Sequence, residues 1–176
     1  MSERDDLLAA VGQMLVTWNQ LEHETRRLLQ EICGGDTVAN RVLTAEFNGM
    51  ALASALKTAA ATILPDDLKA HVVDCAKRFD DLKDYRNHYV HGVVGPEWEK
   101  KGHMSVERHT ARSTLKIYDT PISTMELTNL TEQFAVLSIV AIDLSLVVRD
   151  HNRGTPYTLP RTPDWQKMDS LPHRIG

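Results

Sequence analysis

Asp84-Tyr85-Arg86-Asn87-His88-Tyr89-Val90-His91-Gly92 closes a long amphipathic segment that opens at Pro65. Apolar residues recur along it at Leu68, Val72, Cys75, Phe79, Leu82 and Tyr89, in the steps of three and four that mark one face of an α-helix. Arg86 falls in the same register, where a core residue is expected. A guanidinium is almost never fully buried without a partner, because removing its charge from water is costly. Arg86 therefore needs a partner or a task. Asn87 and His91 stand one helical turn apart with His88 beside them, so these three share a face. Arg86 lies about 140° around the axis from His91 and must reach across. Gly92 suits the left-handed residue that ends a helix. His91 then sits in the last turn, where the helix dipole favours an imidazolium. An amide, a fixed cation and a titratable acid/base thus gather at one helix end.

Around this segment the remaining chain reads as helices. A first helix from about Arg4 to Cys33 carries the seam Leu7, Val11, Met14, Trp18, Leu21, Thr25, Leu28, Ile32, again at helical spacing. Gly34-Gly35 ends it, and Asp36 is expected to cap a short helix reaching Phe47. Asn48-Gly49 marks a turn, followed by an alanine-rich helix from about Met50 to Leu64. Pro65 fits the first position of the motif helix, with Asp66 and Asp67 in its dipole-favoured first turn. After Gly92 the period disappears. Gly95-Pro96 and Lys100-Lys101-Gly102 are loop chemistry, and alternation predicts two strands, Met104–His109 and Thr114–Tyr118, as a β-hairpin insert over about 103–119. Ser123-Thr124-Met125-Glu126 is a capping box, with Ile122 and Leu127 placed as a hydrophobic staple. The helix it opens has the seam Leu127, Leu130, Phe134, Leu137, Ala141, Leu144, Val148. Val136, Ile139, Val140 and Ile142 make it apolar on nearly every side, the mark of a central helix or of one covered by a second subunit.

Composition sets the class. A chain of 176 residues, 42% hydrophobic and 25% charged, is ordinary for one globular domain that buries roughly 70% of its unfolded surface. The expected fold is mainly all-α: an antiparallel bundle of four to five helices over 1–150, with an extended tail over 151–176. The polar start Ser-Glu-Arg-Asp-Asp lacks the apolar core of a signal peptide. Cys33 and Cys75 read as free thiols, so a cytoplasmic location is expected. The longest apolar run, Phe134–Val148, is interrupted by Asp143 and reads as too short for a bilayer. Net charge is −4, which gives no overall nucleic-acid footprint. Yet 77–118 holds nine Lys/Arg against six Asp/Glu, with four of the eight histidines, a section compatible with a phosphate-bearing ligand.

Arg86-Asn87, three residues, then His91 resembles the signature of HEPN domains: an arginine, a polar residue, and a histidine four to six places after the arginine. Trp18-Asn19-Gln20-Leu21-Glu22 and the long last helix are also similar to bacterial members, and the resemblance spans roughly Leu7 to Arg149. It implies a helical bundle that forms a homodimer and, in active members, a metal-independent endoribonuclease of toxin or defence type. Arg86 and His91 would then be catalytic, with Asn87 the supporting polar residue and RNA the substrate. Lys83 and His88 are expected to contact that substrate, and Glu22 to orient Arg86 from behind. An antitoxin or a nucleotidyltransferase is the expected partner type. Where some members carry a tyrosine two places after the histidine, this chain has Val93, which puts adenylylation at that place in doubt.

Plainer readings stand beside these. His91 before a glycine can simply cap its helix, and Arg86 can be a structural cation paired with Glu22. Trp18 and Cys75 read as core residues, not as a base-stacking platform or a nucleophile. His88 and His91 are spaced to begin a metal site, but no further ligand cluster follows, so no metal or cofactor is expected. The competing function is a non-enzymatic helical interaction module.

Overall fold

The computed structural model describes the backbone of residues 3–91, 93–94, 105–111, 115–161 and 163, and the side chains of 5–90, 122–161 and 163. Among the described residues the chain is mainly helical, with α1 (Glu3–Ile32), α2 (Val38–Ala45), α3 (Gly49–Ile63), α4 (Asp66–His91) and α5 (Thr124–Asn152). Between α4 and α5, extended backbone at β1 (Val93–Val94), β2 (Ser105–Ala111) and β3 (Leu115–Pro121) pairs antiparallel in that order, with Arg108 opposite Tyr118. The expected loop residues Gly92, Gly95, Pro96, Lys100, Lys101 and Gly102 lie outside the described residues, as does the tail from 164 onward.

Helix ends follow local chemistry. Gly34 and Gly35 both take positive φ, 101° and 107°, a region that only glycine enters without strain. Their amides donate to Glu31 O and Gln30 O at 3.2 and 2.9 Å, closing the last carbonyls of α1 in a Schellman motif. Thr37, one residue later than expected, caps α2 by accepting from Asn40 N. Asp36 instead takes both ends of the Arg41 fork at 2.6 Å, a bidentate match that outcompetes capping. Asn48 is the cap of α3, accepting from Ala51 N, so Asn48-Gly49 starts a helix as well as turning the chain. Pro65 lies just outside α4, with its carbonyl accepting from Lys69 N. Both halves of the Ser123–Glu126 capping box form, and Ile122 and Leu127 are buried beside it.

The core forms where the seams meet. On α1 every seam residue except the partly buried Val11 is buried, and all seven on α5 are. Thr25, the polar member of the first seam, satisfies its hydroxyl on Leu21 O at 2.8 Å. Trp18 sits at the junction of three helices, stacked on Phe79 of α4 and edge-on to Phe134 of α5, each at 5.1 Å between ring centroids. α1 and α5 run parallel: Trp18 meets Phe134, and further along both helices Asn152 Nδ2 donates to Glu31 O at 2.7 Å. α4 is antiparallel to α5, with Arg78 bonded to Gln133 and Asp67 accepting from Tyr157, just past the end of α5, at 3.4 Å. α3 folds back along α4, tied by Lys57–Asp80 at 3.2 Å. The expected antiparallel bundle thus contains a parallel pair, α1 with α5. The tail docks: Tyr157 and Leu159 pack against the core.

α5 is long and apolar enough, by length and composition, to cross a membrane, and half of its most apolar window is buried within the protein. Length and composition alone do not separate a membrane span from the core helix of a bundle, which passes the same test. Ser138 and Ser145 bond back to Phe134 O and Ala141 O at 2.8 and 2.7 Å, which absorbs the polar groups that interrupt the run.

Candidate functional site

The motif occupies the last turns of α4. Leu82 and Tyr89 of its seam are buried, and Arg86 between them is half-buried. The guanidinium lies over the Trp18 ring, its carbon 5.9 Å from the centroid, so the ring's negative face answers the positive charge. Its Nη1 donates to Asn87 Oδ1 at 3.1 Å. Arg86 Nε is buried without a hydrogen-bond partner, which leaves donor capacity in a cation held by one aromatic face and one amide. Trp18 and Arg86 meet because each occupies a core register on its own helix. That pairing was readable in the two seams and was missed.

Glu22 does not supply the expected partner. Its Oε1 accepts from Arg26 at 3.5 Å, one turn on along α1, while the same guanidinium donates to Thr44 O and Phe47 O at 3.1 and 3.2 Å. Two backbone carbonyls of α2 and its following link fix Arg26, and Arg26 in turn engages Glu22. Lys83 departs from expectation as well. Its ammonium lies 2.6 Å from Asp80 and 3.6 Å from Asp84, with its side chain 12% exposed, and its stem passes against Gly49, where an added Cβ would come within 3.2 Å of it. Burial works against the Lys83 charge, but the hydrogen bond and charge of Asp80 outweigh it and hold the pKa above the usual lysine value. Lys83 thus packs its stem on the first residue of α3 and engages Asp80 and Asp84 of its own helix with its charge. His88 is 2% exposed and meets Tyr89 edge-on at 5.3 Å, so it too faces inward. Asn87 beside it stays half-buried.

Two further ionisable groups are silenced by burial. Burial, with smaller contributions from Glu126 and Tyr85, pushes the Tyr89 phenol up to about 12. Burial, aided by Asp74, pushes the Cys75 thiol up to about 12. Neither is an acid, base or nucleophile at neutral pH. Among the described residues no group of three His, Cys, Asp or Glu side chains is placed to hold a metal ion. His91 ends α4, and its side chain lies outside the described residues. What the motif end presents is Asn87, half-buried, and the Arg86 guanidinium braced on Trp18. Compared with protein-family models, curated proteins and solved structures, the chain matches none.

Proposed function

We propose that this protein is a HEPN-like, metal-independent endoribonuclease with its active site composed across a homodimer. The observation that carries the reading is Arg86: a cation in a core register, held by Trp18 and Asn87 with no carboxylate paired to it among the described residues, five residues before His91. A guanidinium so held suits the dianionic phosphorane formed when a ribose 2′-oxygen attacks the adjacent phosphorus. In that step the 2′-hydroxyl loses a proton, the 2′-O–P bond forms, and the P–O5′ bond breaks with a proton delivered to the departing oxygen. The step needs one base and one acid. A single chain offers one motif histidine, and a second copy across a two-fold axis supplies the other.

The face available for that second copy is on α5. Ile139 and Leu146 are 58% and 43% exposed, and Val136 and Ile142 of the same helix are half-buried. In this reading the antiparallel segments after α4 form the β-hairpin insert and act as a flap over the motif. The setting is cytoplasmic, with an antitoxin or nucleotidyltransferase as partner, and Val93 weighs against adenylylation at that place. The runner-up, a helical interaction module, is favoured by the internal engagement of Lys83 and His88. Incubation with single-stranded RNA in EDTA separates the two. The nuclease reading expects cleavage leaving 2′,3′-cyclic phosphate ends. Activity abolished by chelation and restored by a divalent cation overturns the mechanism.

A further inference from the structure

Trp18 enters the core from α1 and is buried, yet its ring meets a charge as well as a core. Phe79 of α4 stacks on it, planes 22° from parallel, and Phe134 of α5 meets it edge-on. The guanidinium carbon of Arg86 lies over the same ring, 5.9 Å from its centroid. Phe79 and Arg86 are two turns apart on α4, about 10.5 Å along the axis, and the indole spans that gap. Phe79 and Phe134 are themselves fully buried, so the ring is pinned by neighbours that cannot shift without opening the core. The guanidinium is less constrained by polar contacts. Among the described residues, its Nη1 reaches Asn87 Oδ1, and its Nε is buried with no hydrogen-bond partner. Arginine loses more rotamer freedom on being fixed than most side chains. The immobile ring face is what restricts this one.

We propose that Trp18 is a positioning residue of the RNA-cleaving site: its ring face holds the Arg86 guanidinium in one direction, ready for the phosphorane. The role rests on the nuclease reading above. Stabilising a transition state electrostatically depends on charge that is fixed before the reaction begins. A guanidinium free to swing still attracts RNA in the ground state, but must be reorganised as the phosphorane forms. Loss of the ring therefore belongs in kcat, with KM little changed. A residue that only fills the core would change stability and leave the turnover of folded enzyme alone. The hold on a cation is strongest for the indole, weaker for a phenyl ring and absent for an aliphatic chain, which gives the role a graded signature.

The test compares Trp18→Leu, Trp18→Phe and Leu144→Ala in the full chain, each checked for fold and dimer mass. Leu144, fully buried on the far half of α5, is the control for lost packing. Two quantities are read: steady-state cleavage of single-stranded RNA, and the Nε–H resonance of Arg86, assigned by its disappearance in Arg86→Lys. Trp18→Leu should lower kcat roughly ten- to a hundredfold, the scale of a displaced catalytic group, with KM little changed. It should also move the Arg86 resonance to the position of a solvated arginine. Trp18→Phe should recover part of both, and Leu144→Ala should change stability alone. Wild-type kcat in Trp18→Leu, an Arg86 resonance that does not move, or an equal kcat loss in Leu144→Ala overturns the proposal. Should Trp18→Leu not fold, Trp18→Phe decides: a partial loss of kcat with a displaced Arg86 resonance supports the role, and wild-type kcat overturns it. Wild-type protein that cleaves no RNA removes the nuclease reading and this role with it, whereas cleavage indifferent to Trp18 removes this inference alone.

Discussion

Among the described residues, Arg86 is retained in a core register by a ring face and an amide, and its removal strands none of their carboxylates. Arg86→Ala should cost roughly 1–2 kcal/mol, the scale of one partly shielded cation–π contact and one hydrogen bond, and not the roughly 3–5 kcal/mol of a broken buried ion pair. Because Glu22 engages Arg26 instead, a double-mutant cycle of Arg86→Ala with Glu22→Gln should show coupling within about 0.5 kcal/mol of zero. Trp18→Ala with Arg86→Ala should couple clearly in denaturant unfolding. Strong Glu22 coupling would mean that the cation is held from another direction. At this scale the sequence identified the anomaly, an arginine in an apolar seam. It did not identify the answer, because pattern reading pairs charge with charge and the ring of Trp18 was assigned wholly to the core.

Elements are joined here by few, specific polar ties laid over continuous apolar seams. Asp80 bridges Lys57 of α3 and Lys83 of α4 at 3.2 and 2.6 Å. Burial raises its pKa, but the hydrogen bonds and charges of the two lysines prevail and hold it below the usual carboxylate value. A carboxylate whose folded pKa is depressed stabilises above its unfolded pKa, about 3.9, and loses that contribution as pH falls through the lower folded value. Asp80→Asn should therefore flatten the acid limb of a stability–pH curve below about pH 4. The loss at neutral pH should stay under about 1 kcal/mol, since solvent screens a side chain 38% exposed. Ser123→Ala opens the capping box of α5 and should cost about 1 kcal/mol by denaturant unfolding. The thiols give a third check: exposed Cys33 should react with a thiol reagent in the native state, while buried Cys75 reacts only on unfolding. Helices and their seams were legible because amphipathic period and caps are local. The Thr37 cap was misplaced by one residue because Asp36 had a stronger claim on Arg41, a contact that no pattern of spacing reveals.

For the whole molecule, the number of helices among the described residues could be read from the chain, but direction could not. α1 and α5 lie parallel through Trp18–Phe134 and Glu31–Asn152, which the seam of either helix alone does not encode. The inward fate of Lys83 and His88 escaped the sequence for a similar reason: a helical wheel gives which residues share a face, and tertiary packing decides which face is covered. The apolar face of α5 at Ile139 and Leu146 predicts a dimer in light scattering at micromolar concentration, with a mass near twice the 19.8 kDa chain. A monomer there would remove the composite site. The central claim, that the end of α4 cleaves RNA, is tested most directly by the cleavage rate of single-stranded RNA in EDTA by wild type, His91→Ala and Arg86→Ala, each checked for fold and dimer mass. The account predicts cleavage by wild type and a loss of about 10²-fold or more in folded, dimeric His91→Ala, the scale of one general acid or base, with a comparable loss in Arg86→Ala. Cleavage by His91→Ala at the wild-type rate, or none by wild type, contradicts it.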